Sequence, residues 1–412
     1  MLAGLRVTIL GLNYSPEPTG IALYTAGLAE YLAQQGDSVT VVTAHPHYPA
    51  WRRFEGYGGW SSWERDADVD VHRVSHLIPR PPRGWRRLVS EITFGLRGVT
   101  AGWRSPDAIV LVSPALFATA MAMARAVLLR TPRVVWVQDL YSQGMAETGE
   151  GGRLARRASA AIEGWTLRRA SRVVAIHAAM AARIVTDLRV PAGRVSVIAN
   201  WSHLTASPLT RDEARTALGW SRDEFVVLHA GNMGRKQGLE NVVEAAGALE
   251  GRDTPTRFVL MGDGSERARL EESSLGMECI RFLDPVGRAD FSTALAAADV
   301  LLVNELAGVS EMAVPSKMTS YFAAGRPVIA AVDPDGIVAS IVDQASAGII
   351  VPSARPLDLA QAVERLRMDE AARERLAGAA ISHWAAAMSP GASLEEWARL
   401  LREAARPGGD RL

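Results

Sequence analysis

The residues best suited to chemistry lie in "HAGNMGRKQG", residues 229–238, where Arg235 and Lys236 stand among three glycines. Glycine leaves main-chain N–H groups open to close approach, and a helix start adds the positive end of its dipole. Bare amides with two mobile cations favour a diphosphate over a carboxylate, because both donors and spread charge are on offer. A charged surface turn is the plainer alternative. "AVPSKMTSYFAAGRPVIA" puts Lys317, Thr319 and Ser320 in the first turn of a helix. A lysine there opposes the helix dipole, and an anionic ligand would relieve the conflict. "VLMGDGSERARL" supplies another glycine-rich turn at Gly262 and Gly264.

The first half offers different chemistry. "NYSPEPTG" runs from Asn13 through Glu17 to Gly20, a glycine at a helix start that is open to a phosphate or a sugar. It is no G-x-G-x-x-G fingerprint, and the second strand ends without an acid, so a dinucleotide cofactor is not expected. A proline-rich connection that only turns the chain fits the same residues. "VVTAHPHYPAW" carries His45, His47, Tyr48 and Trp51 on one loop. With no carboxylate or third ligand beside the histidines, this loop suits a sugar or lipid better than a metal. Asp139, in "VVWVQDLYSQG", ends a buried strand, where a carboxylate is costly unless it caps the next helix or serves function. Residues 80–104 bring Arg83, Arg86, Arg87, Arg97 and Arg104 together with Trp85, Phe94 and Trp103. That mixture reads either as an interfacial segment resting on anionic lipid or as a solvated helix face covering the sheet.

Each of these loops follows an apolar run of strand length. In the first half the runs are "LRVTILGL", "SVTVVTA", "DVHRVS", "DAIVLVS", "RVVWVQDL", "RVVAIH" and "RVSVIAN". In the second they are "EFVVLHAG", "TRFVLMGDG", "CIRFLD", "VLLVNE", "PVIAAVD" and "AGIIVP". Near-continuous apolar strands alternating with helical patterns predict parallel sheets buried on both faces. The fold expected is α/β, with two Rossmann-like doubly wound domains facing a cleft. Residues 1–203 form the first domain, 204–388 the second, and 389–412 a terminal helical segment suited to crossing back. The Ser/Thr/Pro-rich stretch 202–214 reads as the linker.

Composition sets the remaining bounds. The 412 residues are 48% hydrophobic and 22% charged, as in an ordinary soluble globular protein. A single cysteine, Cys279, excludes an internal disulfide framework and a clustered-thiolate metal site, and points to a reducing compartment such as cytoplasm. No signal peptide is expected from the first residues, and "SPALFATAMAMARAVLL" is too short to span a membrane and reads as a buried helix. Net charge is zero, but residues 1–206 carry 23 Arg against 15 acids (+8) and the remainder 22 Arg+Lys against 30 (−8). A basic first half suits a phosphorylated substrate or an anionic membrane surface.

Six motifs in order, "NYSPEPTGIALYTAGLAEYLAQQG", "TAHPHYPAW", "WVQDL", "ANWS", "GNMGRKQGLENVVEAA" and "PSKMTSYFAAGRPVIA", resemble the family 4 retaining glycosyltransferases. The nearest likeness is to the branch of colanic-acid and O-antigen sugar transferases. The resemblance implies a GT-B architecture and a metal-independent hexosyl transfer from a UDP- or GDP-linked sugar. Its acceptor would be a lipid-linked or small molecule bound by the first domain, through Asn13, Glu17, His45, His47, Tyr48 and Trp51. It further implies that Arg235, Lys236 and Lys317 neutralise the donor diphosphate while Gly20 approaches it, and that Gly231, Asn232 and Gln237 belong to the same donor loop. Gly262 and Gly264 would lie near the sugar, Leu283 and Val286 near the base, and Thr319 and Ser320 on the donor helix. Asp139, Lys236 and Glu311 are the implied catalytic residues.

Asn232 and Gln237 stand where the wider family has Arg and Lys. Met312 and Ser320 stand where it has two glutamates eight apart, one of which ordinarily grips ribose. No metal, other cofactor or nucleic acid is expected; the implied location is cytoplasmic, at the inner face of the membrane, with contact through residues 80–104. A nucleotide-sugar epimerase of the same plan would turn over donor without acceptor. A catalytically silent sugar-nucleotide-binding partner would bind without transfer.

Overall fold

The computed structural model describes residues 4–18, 20–80, 84–148, 152–202, 206–251, 255–308 and 316–406. The chain divides into two compact units, Met1–Asn200 with Ser393–Leu412, and Trp201–Ala392.

The first unit holds the strands β1 (Arg6–Leu10), β2 (Ser38–Ala44), β3 (Ser61–Asp66), β4 (Val69–Val74), β5 (Ala108–Ser113), β6 (Arg133–Val137), β7 (Arg172–Ala175) and β8 (Val195–Val197). Its helices are α1 (Ile21–Gln34), α2 (Trp85–Thr100), α3 (Leu116–Leu128), α4 (Tyr141–Thr148), α5 (Arg153–Arg169) and α6 (Ala178–Thr186). The sheet runs β3-β4-β2-β1-β5-β6-β7-β8, so strand order reverses between β1 and β5. β1, β2, β5 and β6 are buried along almost their whole length, which is why their sequences are apolar without alternation. Among the described residues only β3 runs antiparallel to its neighbour, β4. It is an exposed edge strand, "SSWERD", too polar to signal a sheet from sequence.

The second unit holds α7 (Arg211–Leu218), β9 (Phe225–Ala230), α8 (Glu240–Gly247), β10 (Thr256–Met261), α9 (Arg267–Ser273), β11 (Ile280–Leu283), α10 (Arg288–Ala297) and β12 (Val300–Asn304). It continues through α11 (Ser316–Ala323), β13 (Val328–Val332), α12 (Ile337–Ala345), β14 (Gly348–Pro352), α13 (Pro356–Met368) and α14 (Glu370–His383). Its parallel sheet runs β11-β10-β9-β12-β13-β14, reversing between β9 and β12. One core of Val, Leu, Ile and Phe side chains, Phe258 and Leu302 among them, joins the sheet to α8, α9 and α13.

The linker is shorter than 202–214. Thr210 caps α7 in a reciprocal capping box with Glu213, so helix begins inside the stretch read as loop. α15 (Pro390–Ala404) follows a π-turn at Trp384–Met388 and packs on the first unit. There Trp397 meets Trp136 with ring centroids 4.7 Å apart, both fully buried. Among the described residues no helix is long and apolar enough to cross a membrane.

Candidate active site

In open parallel sheets the crevice at the reversal of strand order, beyond the carboxyl ends, is where loops leave in opposite directions and a ligand fits. The second unit places its glycine-rich loops there. Gly231 leaves β9 at φ 140° and Gly262 leaves β10 at φ 143°, conformations an L side chain rarely adopts. A Cβ on Gly262 would sit 1.9 Å from the Gly231 carbonyl oxygen, and one on Gly264 would sit 2.5 Å from the Met233 carbonyl carbon. The glycines are therefore needed to stack two loops backbone against backbone. Gly231 N donates to Met261 O at 2.8 Å and Met233 N to Asp263 O at 2.8 Å, which locks the pair.

A 3-10 turn, Arg235–Gln237, follows. The N–H groups of Gly234, Arg235 and Lys236 find no partner among the described residues, as expected at the start of a helical turn. The Arg235 and Lys236 side chains are exposed, with no carboxylate within 4.0 Å among those residues. Lys317, on the first turn of α11, brings its Nζ to Gln237 Oε1 at 2.7 Å and within 3.8 Å of where a Gly231 Cβ would lie. Burial, and secondarily the Lys317 charge, hold the enclosed His229 well below its ordinary pKa and so neutral. α11 is pinned from below, because Tyr321 Oη accepts Ala230 N at 2.9 Å. Lys236 and Lys317 are the chain's two lysines; the other 43 of its 45 basic residues are arginine. Elsewhere arginine serves, so compact, strongly hydrated ammonium groups stand out at these two positions.

Asn304 was not singled out in the sequence. It ends the apolar β12, is fully buried, and donates Nδ2 to Gln237 O at 2.7 Å and Gly238 O at 2.9 Å. It fixes the cationic turn, and a polar side chain closing "VLLVN" was the available signal. Leu283 enters through its backbone, accepting Gly262 N at 3.0 Å, while Val286 is 41% exposed in the loop beyond β11. Asn232 is exposed; Thr319 and Ser320 are buried in α11 rather than presented on its surface. Glu311 and Met312 lie outside the described residues.

The reversal in the first unit forms a different kind of site. A cleft of about 200 Å³ lies between α2 and the tips of β1 and β5, and Asn13, Gly20, His47, Tyr48 and Trp51 all reach it. A Cβ on Gly20 would meet nothing within 4 Å, so only its φ of 63° calls for glycine. Glu17 and His45 are corrections to the sequence reading, since each is 1% exposed and neither lines the cleft. Glu17 Oε1 accepts His47 N at 2.7 Å and Tyr48 N at 2.9 Å, and its Oε2 accepts Asn13 Nδ2 at 2.8 Å. Its carboxylate is spent tying two loops together, an internal brace that positions His47 and Tyr48.

For Asp139 only the burial argument is corrected. The residue lies two positions past the end of β6 and is exposed, so it carries no burial cost. It borders a larger, mostly apolar cleft of about 620 Å³ that Trp85, Leu88, Phe117, Met145 and Ile162 line. Glu163 reaches over from α5 to accept Tyr141 N at 2.7 Å and Ser142 N at 3.2 Å, which caps the helix after Asp139.

The basic stretch 80–104 divides. Phe94 and Trp103 are buried, Arg97 stacks 3.8 Å from the Trp60 ring centroid, and Arg104 pairs with Asp70. Arg83 lies outside the described residues, and the exposed interfacial character narrows to the first turn of α2, where Trp85 is 70% exposed.

Comparison with known proteins follows this division. Residues 19–201 match the model of the glycosyl transferase 4-like domain and residues 224–369 that of the glycosyl transferases group 1. The chain is 32% identical over 337 residues to the putative colanic acid biosynthesis glycosyl transferase WcaI of Escherichia coli, covering 78% of this chain and 82% of that one. It is 25% identical over 291 residues to the probable glycosyltransferase WbjE of Pseudomonas aeruginosa, covering 69% and 72%. Among solved structures, Anabaena HepE in complex with UDP superposes with a TM-score of 0.69 at 18% identity, over 97% of this chain and all of that one. The glycosyltransferase WaaG, of lipopolysaccharide biosynthesis, gives 0.66 at 17% identity, over 96% and 99%. These structural likenesses carry the fold, which is GT-B.

Proposed function

Since the chain belongs to the family 4 glycosyltransferases, we propose that it moves a hexosyl group from a UDP- or GDP-sugar to an acceptor hydroxyl, with anomeric configuration retained. In this reading the acceptor is a lipid-linked or other cell-surface polysaccharide intermediate, met at the inner face of the cytoplasmic membrane.

One observation carries the donor half. The Lys317 ammonium, the bare Gly231 backbone and the Arg235–Gln237 turn converge at the reversal of the second sheet. As the glycosidic bond breaks, the electron pair leaves on the diphosphate, and negative charge on its oxygens grows. Cations and N–H dipoles already in place stabilise that charge more than they stabilise the intact donor, and this differential lowers the barrier. Lys236 and Lys317 meet the departing charge, with Arg235 beside them. Gly262 and Gly264 let the two donor loops stack backbone on backbone and pass close to the sugar, and the segment from Leu283 to Val286 faces the base. Charge neutralisation by lysine and arginine leaves no step that requires a divalent cation, so turnover persists in chelator. Retention needs no enzymic nucleophile in a front-face reaction, in which the leaving phosphate takes the acceptor proton. Asp139 orients acceptor or sugar.

The acceptor half rests on the apolar cleft with exposed Trp85 at its edge, which suits a hydrocarbon chain better than a free sugar. Calorimetric titration of the full chain with UDP and GDP tests the donor site. Binding of one of them that Lys317→Ala weakens at least tenfold supports the reading, and binding of neither at millimolar concentration sinks it.

A further inference from the structure

We propose that the small cleft of the first unit is a carbohydrate subsite for the acceptor, with the Glu91 carboxylate as the hydrogen-bond acceptor for a sugar hydroxyl. This deepens the transferase reading above and rests on it. In the sequence Glu91, with Arg87 four residues earlier, has the spacing of an exposed helix ion pair. The fold turns it inward. Glu91 is 2% exposed on α2, and its Oε2 lies 3.4 Å from Phe117 N at the start of α3. Arg87 Nε lies 3.6 Å from Oε1 and is itself half exposed. The carboxylate lines the same cleft as Asn13, His47 and Ser90.

Two further polar atoms there are buried and lack partners. Ser90 Oγ and His47 Nε2 make no hydrogen bond, although both residues are 1% exposed. Buried polar groups are ordinarily satisfied, so two unpaired ones beside a cleft suit a ligand that supplies hydroxyls. Trp51 and Tyr48 add an aromatic wall on which a pyranose ring packs. The sign of charge selects the ligand. Arg87, the cation at the cleft, already faces Glu91, so an anionic group gains little here while a neutral polyol gains an ionised acceptor. Phosphate is disfavoured and hydroxyl favoured.

The groups that set the ionisation of Glu91 come from both sides. Burial raises its carboxyl to about 7, against the pull of Arg87 on α2 and of the Phe117 and Leu116 N–H groups on α3. His47 stands on the same cleft, with His76 behind it at 4.8 Å between ring centroids. An ionised carboxylate is the stronger partner for a hydroxyl donor, so glycoside affinity rises with pH through about 7.

The test uses the full chain with octyl β-glucoside and octyl β-galactoside as probes, titrated by calorimetry at pH 6 and pH 8. UDP and GDP titrations run in parallel. Wild type should bind one glycoside more tightly at pH 8 than at pH 6. Glu91→Gln, which keeps an oxygen for the Phe117 N–H, should weaken binding about 10- to 100-fold and abolish the pH difference. Ser90→Ala, a change too small to unfold α2, should weaken it several-fold. Saturable binding of neither glycoside by wild type overturns the proposal, as does equal affinity in Glu91→Gln with the pH dependence intact. Glycoside binding that persists while no nucleotide binds sinks the transferase reading and leaves a carbohydrate site. Nucleotide binding with no Glu91 effect does the reverse.

Discussion

Each unit reverses its strand order once, between β1 and β5 in the first and between β9 and β12 in the second, yet the two crevices are finished in opposite materials. In the second unit the strand ends are bare glycine backbone with cations laid over them. In the first they are covered by side chains, with a buried glutamate bracing one wall and another lining the other. The same topology thus yields one socket that offers N–H groups and positive charge, and one that offers carboxylate, imidazole and aromatic faces. On the transferase reading proposed above, the first kind would meet a leaving diphosphate and the second would hold the hydroxyls of an acceptor sugar.

The comparison breaks most easily at Lys317. Lys317→Ala should lower kcat/KM by about 10²–10³, in the range found when one preorganised stabilising group is lost. Lys317→Arg should not restore it, since the guanidinium fork does not reproduce a compact ammonium beside Gly231. Steady-state kinetics at saturating acceptor read the effect. Wild-type rates in Lys317→Ala would mean that the cationic crevice is not the donor site.

Gly262→Ala sharpens the same contrast through backbone alone. The new methyl meets the Gly231 carbonyl, and the two loops must part. We expect nucleotide affinity to fall about tenfold to a hundredfold, from the roughly 1–3 kcal/mol that a non-glycine residue pays in this region, while glycoside binding in the first unit stays unchanged. Calorimetry with UDP, GDP and octyl glycosides on one preparation separates the outcomes. Equal loss of both would point to general unfolding.

Much of this plan was legible in sequence, and the exceptions share a cause. β9, β10 and β12 announce themselves because strands buried on both faces must be apolar, and the glycines after them because no other residue fits φ near 140°. β3 was missed since an antiparallel edge strand needs only its partner and tolerates Ser, Glu and Asp. Thr210 sits within the expected linker, although its spacing to Glu213 is that of a capping box. Glu17 and Glu91 depart from the sequence in opposite directions: Glu17, expected to bind acceptor, braces two loops from inside, and Glu91, with no expected role, lines the cleft. Whether a carboxylate faces water or the core depends on which element packs over it, and local spacing carries no such information. Glu163 is a third case, an acid in an arginine-rich helix whose partners lie 21 and 22 residues away.

The smallest expected effect concerns the pH response of the first unit, where two linkages oppose each other. Burial depresses His76 to about 3, with His47, His45 and Arg53 adding to it, so the folded state keeps the ring neutral while the unfolded chain protonates near 6.5. Its contribution is complete above pH 6.5 and drains away as pH falls toward 3. Glu91 runs the other way. Its folded value of about 7 exceeds the unfolded 4.5, so its contribution is complete below pH 4.5 and is lost as pH rises through 7. Between pH 4.5 and 6.5 the two slopes partly cancel, so His76 and Glu91 together should change wild-type stability little. Removing one group exposes the other. Glu91→Gln should therefore gain stability with rising pH more steeply than wild type, by about 1.4 kcal/mol per pH unit at most for one buried group. His76→Asn should show the reverse tilt. Chemical denaturation at pH 5 and 6.5 measures both, and parallel curves for the two variants would mean that neither side chain is held as the cleft geometry requires.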